Sequence, residues 1–113
     1  MSELRARTCK PCEGGIPALT RSQAKDLLMQ IPTWTLNDAA TEIHRDFKFK
    51  NFYETIAFVN ALAWICNTED HHPDLHVTYD RCVVRFNTHS VNGVSINDFI
   101  CAAKADGLVS FIA

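Results

Sequence analysis

Across Asn51 the spacing of apolar residues changes from two to about 3.6, so a strand runs almost directly into a helix. On the strand side, Ile43, Phe47 and Phe49 alternate with Glu42, His44, Asp46 and Lys48 between residues 41 and 49. That alternation predicts one buried and one wet face. Arg45 interrupts the apolar row, which points to a position near a sheet edge. On the helix side, residues 51–67 carry Phe52, Ile56, Val59, Ala63 and Cys66 as one stripe, widened by Phe58, Leu62 and Ile65. A face this broad predicts burial against the sheet plus a second surface, such as another subunit. Trp64 is then expected as an interface aromatic.

The remaining elements follow from similar signals. Thr20 is an N-cap with Gln23 at capping-box spacing, and Ala24, Leu27, Leu28 and Ile31 mark one buried face of a first helix that Pro32 ends. Thr33–Leu36 reads as a short strand and Asn37-Asp38 as a turn. Leu75, Val77 and Tyr79 alternate with His76 and Thr78 as a third strand. Asp80-Arg81 is the expected hairpin turn, and Cys82, Val84 and Phe86 continue the inward row on a fourth. After Gly93, Ser95 caps a last helix with Asp98 three residues on. Ile96, Phe99, Ile100 and Ala103 form its stripe, and Gly107 is the expected stop. The order α-β-β-α-β-β-α predicts an α+β domain: a four-stranded antiparallel sheet with three helices packed on one face.

A chain of 113 residues, 47% apolar, is expected to form one domain over residues 20–113. Residues 1–19, with Pro11, Gly14, Gly15 and Pro17, read as an irregular lead-in. A net charge of −2 leaves no basic footprint for nucleic acid and suits a small neutral or mildly charged ligand. The charged N-terminus is followed by no apolar run. The longest mostly apolar stretch, Ile56–Cys66, is broken by Asn60 and is too short to span a bilayer. The expected location is cytoplasmic, with no membrane partner. Among the five cysteines, Cys9-x-x-Cys12 has the spacing of half a zinc site or a redox pair. No second pair accompanies it, and Gly14, Gly15 and Pro17 follow where a redox motif needs a helix. Cys66, Cys82 and Cys101 read as small core residues.

The candidate chemistry sits in Glu69-Asp70-His71-His72-Pro73-Asp74-Leu75-His76, where three of the five histidines meet three carboxylates. Pro73 stiffens the backbone behind the His pair. Three readings compete for this corner. Adjacent histidines in extended chain point to opposite sides, and Pro73 disfavours a helix joining His72 to His76, so a tetrahedral metal site fits poorly. Acid–base chemistry asks less of geometry, because histidine titrates near neutrality. Pairing of strands three and four brings the His71-His72 entry and the His89 exit to one end of a hairpin, with Leu75 and Phe86 as near partners. The third reading is a solvated turn with no chemical role.

Glu69-Asp70-His71-His72-Pro73, then Tyr79, Thr88-His89 and Asp98, closely resembles the pterin-4a-carbinolamine dehydratases, also called 4a-hydroxytetrahydrobiopterin dehydratases. Phe47-Lys48-Phe49-Lys50-Asn51-Phe52 and Asn97-Asp98-Phe99-Ile100 are also similar, and the likeness runs from about Thr20 to Asp106. The resemblance implies dehydration of 4a-hydroxytetrahydropterin to quinonoid dihydropterin, without metal or bound cofactor, recycling the pterin of aromatic amino acid hydroxylases. It also implies a homodimer or homotetramer. By the same resemblance His71 and His89 handle the protons and His72 positions the pterin. Asp98 supplies the pocket carboxylate, with Asp70, Pro73 and Thr88 lining the pocket. Asp98 is also at capping-box spacing from Ser95, a purely structural role. Many members carry an acidic residue four positions before the first motif histidine; Asn67 stands there, able to hydrogen-bond a pterin edge but not to take up charge. A non-catalytic, dimerising or regulatory protein on this scaffold is the competing function.

Overall fold

The computed structural model describes residues 4–11 and 16–110. Cys12, Gly14 and Gly15 of the lead-in lie outside them. The elements are α1 (Arg21–Leu28), β1 (Thr35–Leu36), β2 (Ile43–Lys48), α2 (Phe52–Glu69), β3 (Asp74–Val77), β4 (Arg81–Phe86) and α3 (Ile96–Val109), with short 3₁₀ turns at Leu4–Ala6 and His89–Val91. The four strands form one antiparallel sheet in the order β1-β2-β4-β3. This is the α+β order expected from the sequence.

Alternation on β2 and β4 decides which face is covered. Ile43, Phe47, Cys82, Val84 and Phe86 are all buried on the helix side, while Asp46, Lys48, Arg81 and Arg85 are exposed on the other. Phe58 of α2 packs on Phe47 with ring centroids 4.5 Å apart, and Trp34, just before β1, leans on Phe47 and Phe86. Burying such side chains contributes about 1.5–3 kcal/mol each.

Several local expectations are corrected. The buried row of α2 is Thr55, Phe58, Leu62 and Cys66, whereas Phe52 and Ala63 of the expected main stripe are exposed. The helix is apolar around most of its circumference, so periodicity alone could not choose the inward side. Trp64 is 74% exposed, on the outer surface where an interface aromatic was expected. The hairpin turn is Tyr79-Asp80 rather than Asp80-Arg81, and Leu75 pairs with Val84 rather than near Phe86. Two bonds from outside the hairpin fix that register: Phe49 N–H donates to the Asp80 carbonyl (2.7 Å) and Thr55 Oγ1 to the Tyr79 carbonyl (2.9 Å). α1 stops at Leu28, before Pro32, although Ile31 is still buried in the following turns. α3 runs through Gly107 to Val109; the missing Cβ there makes room for Arg5, whose Cδ would lie 2.8 Å from it. That contact belongs to a lead-in built into the core, with Leu4 buried and Lys10 and Asn97 exchanging hydrogen bonds.

Arg45 lies on β2 just past the two residues that β1 pairs, near an edge as expected, but on the helix side, where its Nη1 meets Asp106 Oδ1 of α3 at 2.6 Å and its guanidinium covers the Phe47 ring. Trp34 Nε1 donates to the same carboxylate oxygen at 2.8 Å. Burial raises the Asp106 carboxyl above its ordinary range, and the hydrogen bonds from Trp34 and Arg45 only partly offset this. Arg45 stabilises the ionised carboxylate alone, so its contribution is present at neutral pH and fades once acid protonates Asp106 in both folded and unfolded chains. Arg45→Met is therefore expected to destabilise by about 1–3 kcal/mol at neutral pH and by clearly less below about pH 4. Urea unfolding at the two pH values measures this; equal losses at both would contradict the pairing.

Candidate active site

The histidine corner is made by the end of α2. Asp70 turns the chain through the left-handed region (φ 54°, ψ 42°), a conformation aspartate tolerates better than most residues. The N–H of His71 then donates back to the Cys66 carbonyl at 3.0 Å. This reversal drives the His71 ring inward, where it is 6% exposed and stacks parallel to Phe86 at 6.0 Å. Pro73 follows, and β3 starts at Asp74 opposite Arg85 of β4. The segments at 71–73 and 87–89 thus leave the hairpin at the same end, as the sequence suggested.

Asp98, at the first turn of α3, closes the arrangement from below. It is fully buried, and its Oδ1 lies 2.6 Å from His71 Nε2. Its Oδ2 accepts the Thr88 hydroxyl at 2.8 Å and the Ser95 N–H at 2.9 Å. Thr88 has one hydroxyl proton, spent on Asp98, so the 2.8 Å contact between Ser95 Oγ and Thr88 Oγ1 has Ser95 donating. With Asp98 accepting throughout, His71 Nε2 carries the hydrogen and Nδ1 keeps a lone pair. No described residue hydrogen-bonds that Nδ1. The pair can accept a proton at Nδ1 and hold the resulting imidazolium against a carboxylate already in place.

Asp98 holds the capping-box position at the head of α3 and orients His71; at 0% exposure its carboxylate is fully covered. Thr88, 2% exposed, is likewise a support for Asp98 more than a wall. Ser95 was legible only as a helix cap; its hydroxyl extends the buried network to Thr88. Phe86, read only as a core residue, is the floor beneath His71.

The other named residues fall into two grooves. His72, Pro73 and Asn67 line one of about 550 Å³ between α2 and β3, with Trp64 and Leu75 as apolar wall. His89 is exposed on the 3₁₀ turn and lines a second of about 270 Å³ with Thr88, Asn37, Glu42 and Asn92. The buried chain His71–Asp98–Thr88 joins the two, since its ends are the sequence neighbours of His72 and His89. The exposed Asp70 contributes the corner's backbone turn. His44 lies on the uncovered face of β2 opposite Arg85, and His76 on that of β3 opposite Val83, away from the buried network. Among the described residues no group of three or more His, Cys, Asp or Glu side chains is placed to hold a metal ion. Among them, too, no helix is long and apolar enough to cross a membrane.

Comparison with known proteins was made at three levels. Residues 17–108 match the family model described as pterin 4 alpha carbinolamine dehydratase. A Nitrosomonas eutropha protein bearing the name pterin-4-alpha-carbinolamine dehydratase is 53% identical over 95% of this chain and 94% of its own. A Legionella pneumophila (strain Corby) protein of the same name is 54% identical over 96% of each chain. Among solved structures, a transcriptional coactivator/pterin dehydratase from Brucella melitensis superposes with a TM-score of 0.77 at 34% identity, covering 80% of this chain and 97% of that one.

The carboxylate network yields a direct test. In Asp98→Asn the amide can face His71 with its oxygen only by turning its NH₂ toward two donors, the Thr88 hydroxyl and the Ser95 N–H. One buried donor is then orphaned, at an expected cost of about 1–3 kcal/mol. With the NH₂ toward His71 instead, both donors stay satisfied but Nε2 becomes an acceptor, so imidazole ¹⁵N shifts should then report the Nδ1–H tautomer of His71. Unchanged unfolding and an unchanged tautomer would rule the network out as the element that orients this ring.

Proposed function

The chain belongs to the pterin 4 alpha carbinolamine dehydratase family, and on that basis we propose that it is a hydro-lyase converting 4a-hydroxytetrahydropterin to quinonoid dihydropterin and water. The observation that carries this reading in the molecule itself is the buried His71–Asp98 contact of 2.6 Å, with no described residue bonded to Nδ1. The reaction transfers no electrons. A proton must reach the C4a hydroxyl so that it leaves as water, and a proton must leave a ring nitrogen. His71 and His89 exchange those protons, one as acid and the other as base. His72, Asn67 and Pro73 contact and position the flat ring. Such catalysis supplies about 10²–10⁴-fold, or roughly 3–5 kcal/mol of barrier, which suffices for a carbinolamine that also dehydrates unaided. Within this reading the enzyme is cytoplasmic, takes neither metal nor cofactor, and regenerates pterin for aromatic amino acid hydroxylases.

Purified protein is expected to accelerate loss of synthetic 4a-hydroxytetrahydropterin equally with and without EDTA. His71→Ala and His89→Ala should each lower that rate at least about tenfold. A wild-type rate equal to the buffer blank would sink the assignment, and loss of activity with EDTA would return the metal reading.

Self-association belongs to the same proposal. β3 is an unpaired edge whose Leu75 and Val77, on the helix side of the sheet, are more than a third exposed. Tyr53 and Trp64 project from the outer side of α2 at 89% and 74% exposure. An apolar edge of this kind pairs readily with another strand. A second copy is the occupant we infer, giving a homodimer or homotetramer. Light scattering should find wild type larger than a monomer, with Val77→Lys shifting it toward the monomer; a monomeric wild type at micromolar concentration would contradict this. The Brucella neighbour's description as a coactivator keeps a regulatory role as the second reading. That reading gains if the histidine variants keep their assembly while the wild type lacks turnover.

A further inference from the structure

The proposed chemistry uses no cysteine, yet thiols from the two ends of the chain meet behind the site. Cys9 Sγ lies 3.5 Å from Cys101 Sγ although the residues are 92 positions apart. Two sulfurs at that distance are in van der Waals contact, and a disulfide needs a further approach of about 1.5 Å. Backbone anchors hold Cys9 there. Its N–H donates to Glu69 Oε1 at 2.7 Å, and the next residue, Lys10, exchanges bonds of 3.0 and 2.7 Å with the Asn97 side chain. Cys9 is half-buried, whereas Cys101 is fully buried and Cys66, which also hydrogen-bonds Cys101, is 1% exposed.

We propose that Cys9 and Cys101 are a modification site, at which a hydroperoxide forms a reversible disulfide clamping the lead-in onto α3. Accessibility assigns the order of events. The Cys9 sulfur attacks the O–O bond of the hydroperoxide, giving a Cys9 sulfenic acid and an alcohol, or water from hydrogen peroxide. The Cys101 sulfur then attacks the Cys9 sulfur, the S–O bond breaks, and the hydroxyl leaves as water with the Cys101 proton. Two thiols are oxidised by two electrons and one peroxide bond is reduced. Hydrogen bonding with Cys66 and Cys9, together with burial, pushes the Cys101 thiol well above the ordinary thiol range, so Cys101 is not the first nucleophile; contact with Cys9 Sγ is what places it to resolve. The bridge would tie into the proton-transfer pair from two sides. Asn97, whose carbonyl lies 3.7 Å from Cys9 Sγ, precedes Asp98, and Cys66 receives the His71 N–H at its carbonyl.

Full-length protein titrated with hydrogen peroxide, blocked with iodoacetamide without reductant and mapped by mass spectrometry tests this. The intact mass should fall by two hydrogens, two of the five thiols should escape alkylation, and one cross-linked peptide pair should contain Cys9 and Cys101. Dithiothreitol should reverse all three changes. Closing so long a loop should raise the thermal midpoint by several degrees or more. Cys9→Ser should abolish both the cross-link and that rise; the wild-type map decides alone if the variant fails to fold. A Cys9–Cys12 or Cys66–Cys101 bridge, or thiols that all remain free under peroxide, overturns the proposal.

Discussion

The Asp98 carboxylate is the interaction on which the site depends. Placing an ion at zero exposure costs several kcal/mol unless strong partners surround it. Here the partners come from three separate segments: His71 after α2, Thr88 after β4 and Ser95 at the start of α3. The unsatisfied amides and dipole of the α3 N-terminus add a further favourable field. None of these segments can drift without orphaning a buried group. One residue thus fixes the spatial relation between the His71-His72 corner and the His89 turn.

That dependence explains why the histidines adopt different surroundings. His71 is drawn inward because Asp70 reverses the chain and Asp98 offers an acceptor beneath the ring. His72, one residue later, faces the α2–β3 groove, since successive side chains in extended backbone point to opposite sides. His89 stands on an exposed 3₁₀ turn, held by the Asn92 N–H at its carbonyl and by its buried neighbour Thr88. One imidazole is thus buried and hydrogen-bonded, and the other two are exposed.

Much of the fold was legible because local signals agree with one another. The period-two rows of β2 and β4, the Thr20 cap and the Ser95–Asp98 spacing each appear where they were read. What was missed depends on partners distant in sequence. Arg45 looks like an interruption until Asp106, 61 positions away, supplies its counter-charge. The hairpin register is set by Phe49 and Thr55, outside the hairpin. The inner side of α2 could not be chosen because Phe52, Ile56 and Val59 are as apolar as Phe58 and Leu62. Only contact with Phe47 separates the two sets. For the site, the motif residues were visible, but that Asp98 acts from beneath His71, and that His72 and His89 line different grooves, required the packing of α3.

Asn67 shows how the same logic bears on the chemistry. It stands on the last turns of α2, exposed in the groove with His72, while an acidic side chain at that position would place a negative charge beside the ligand. A carboxylate there would favour protonated imidazoles and attract a cationic edge of the pterin. An amide offers one acceptor and two donors with no charge. Among the described residues the one carboxylate hydrogen-bonded to a motif histidine is Asp98, on His71. The asymmetry between the imidazoles comes from burial and from that one contact: His71 is buried on Asp98, whereas His72 and His89 are exposed.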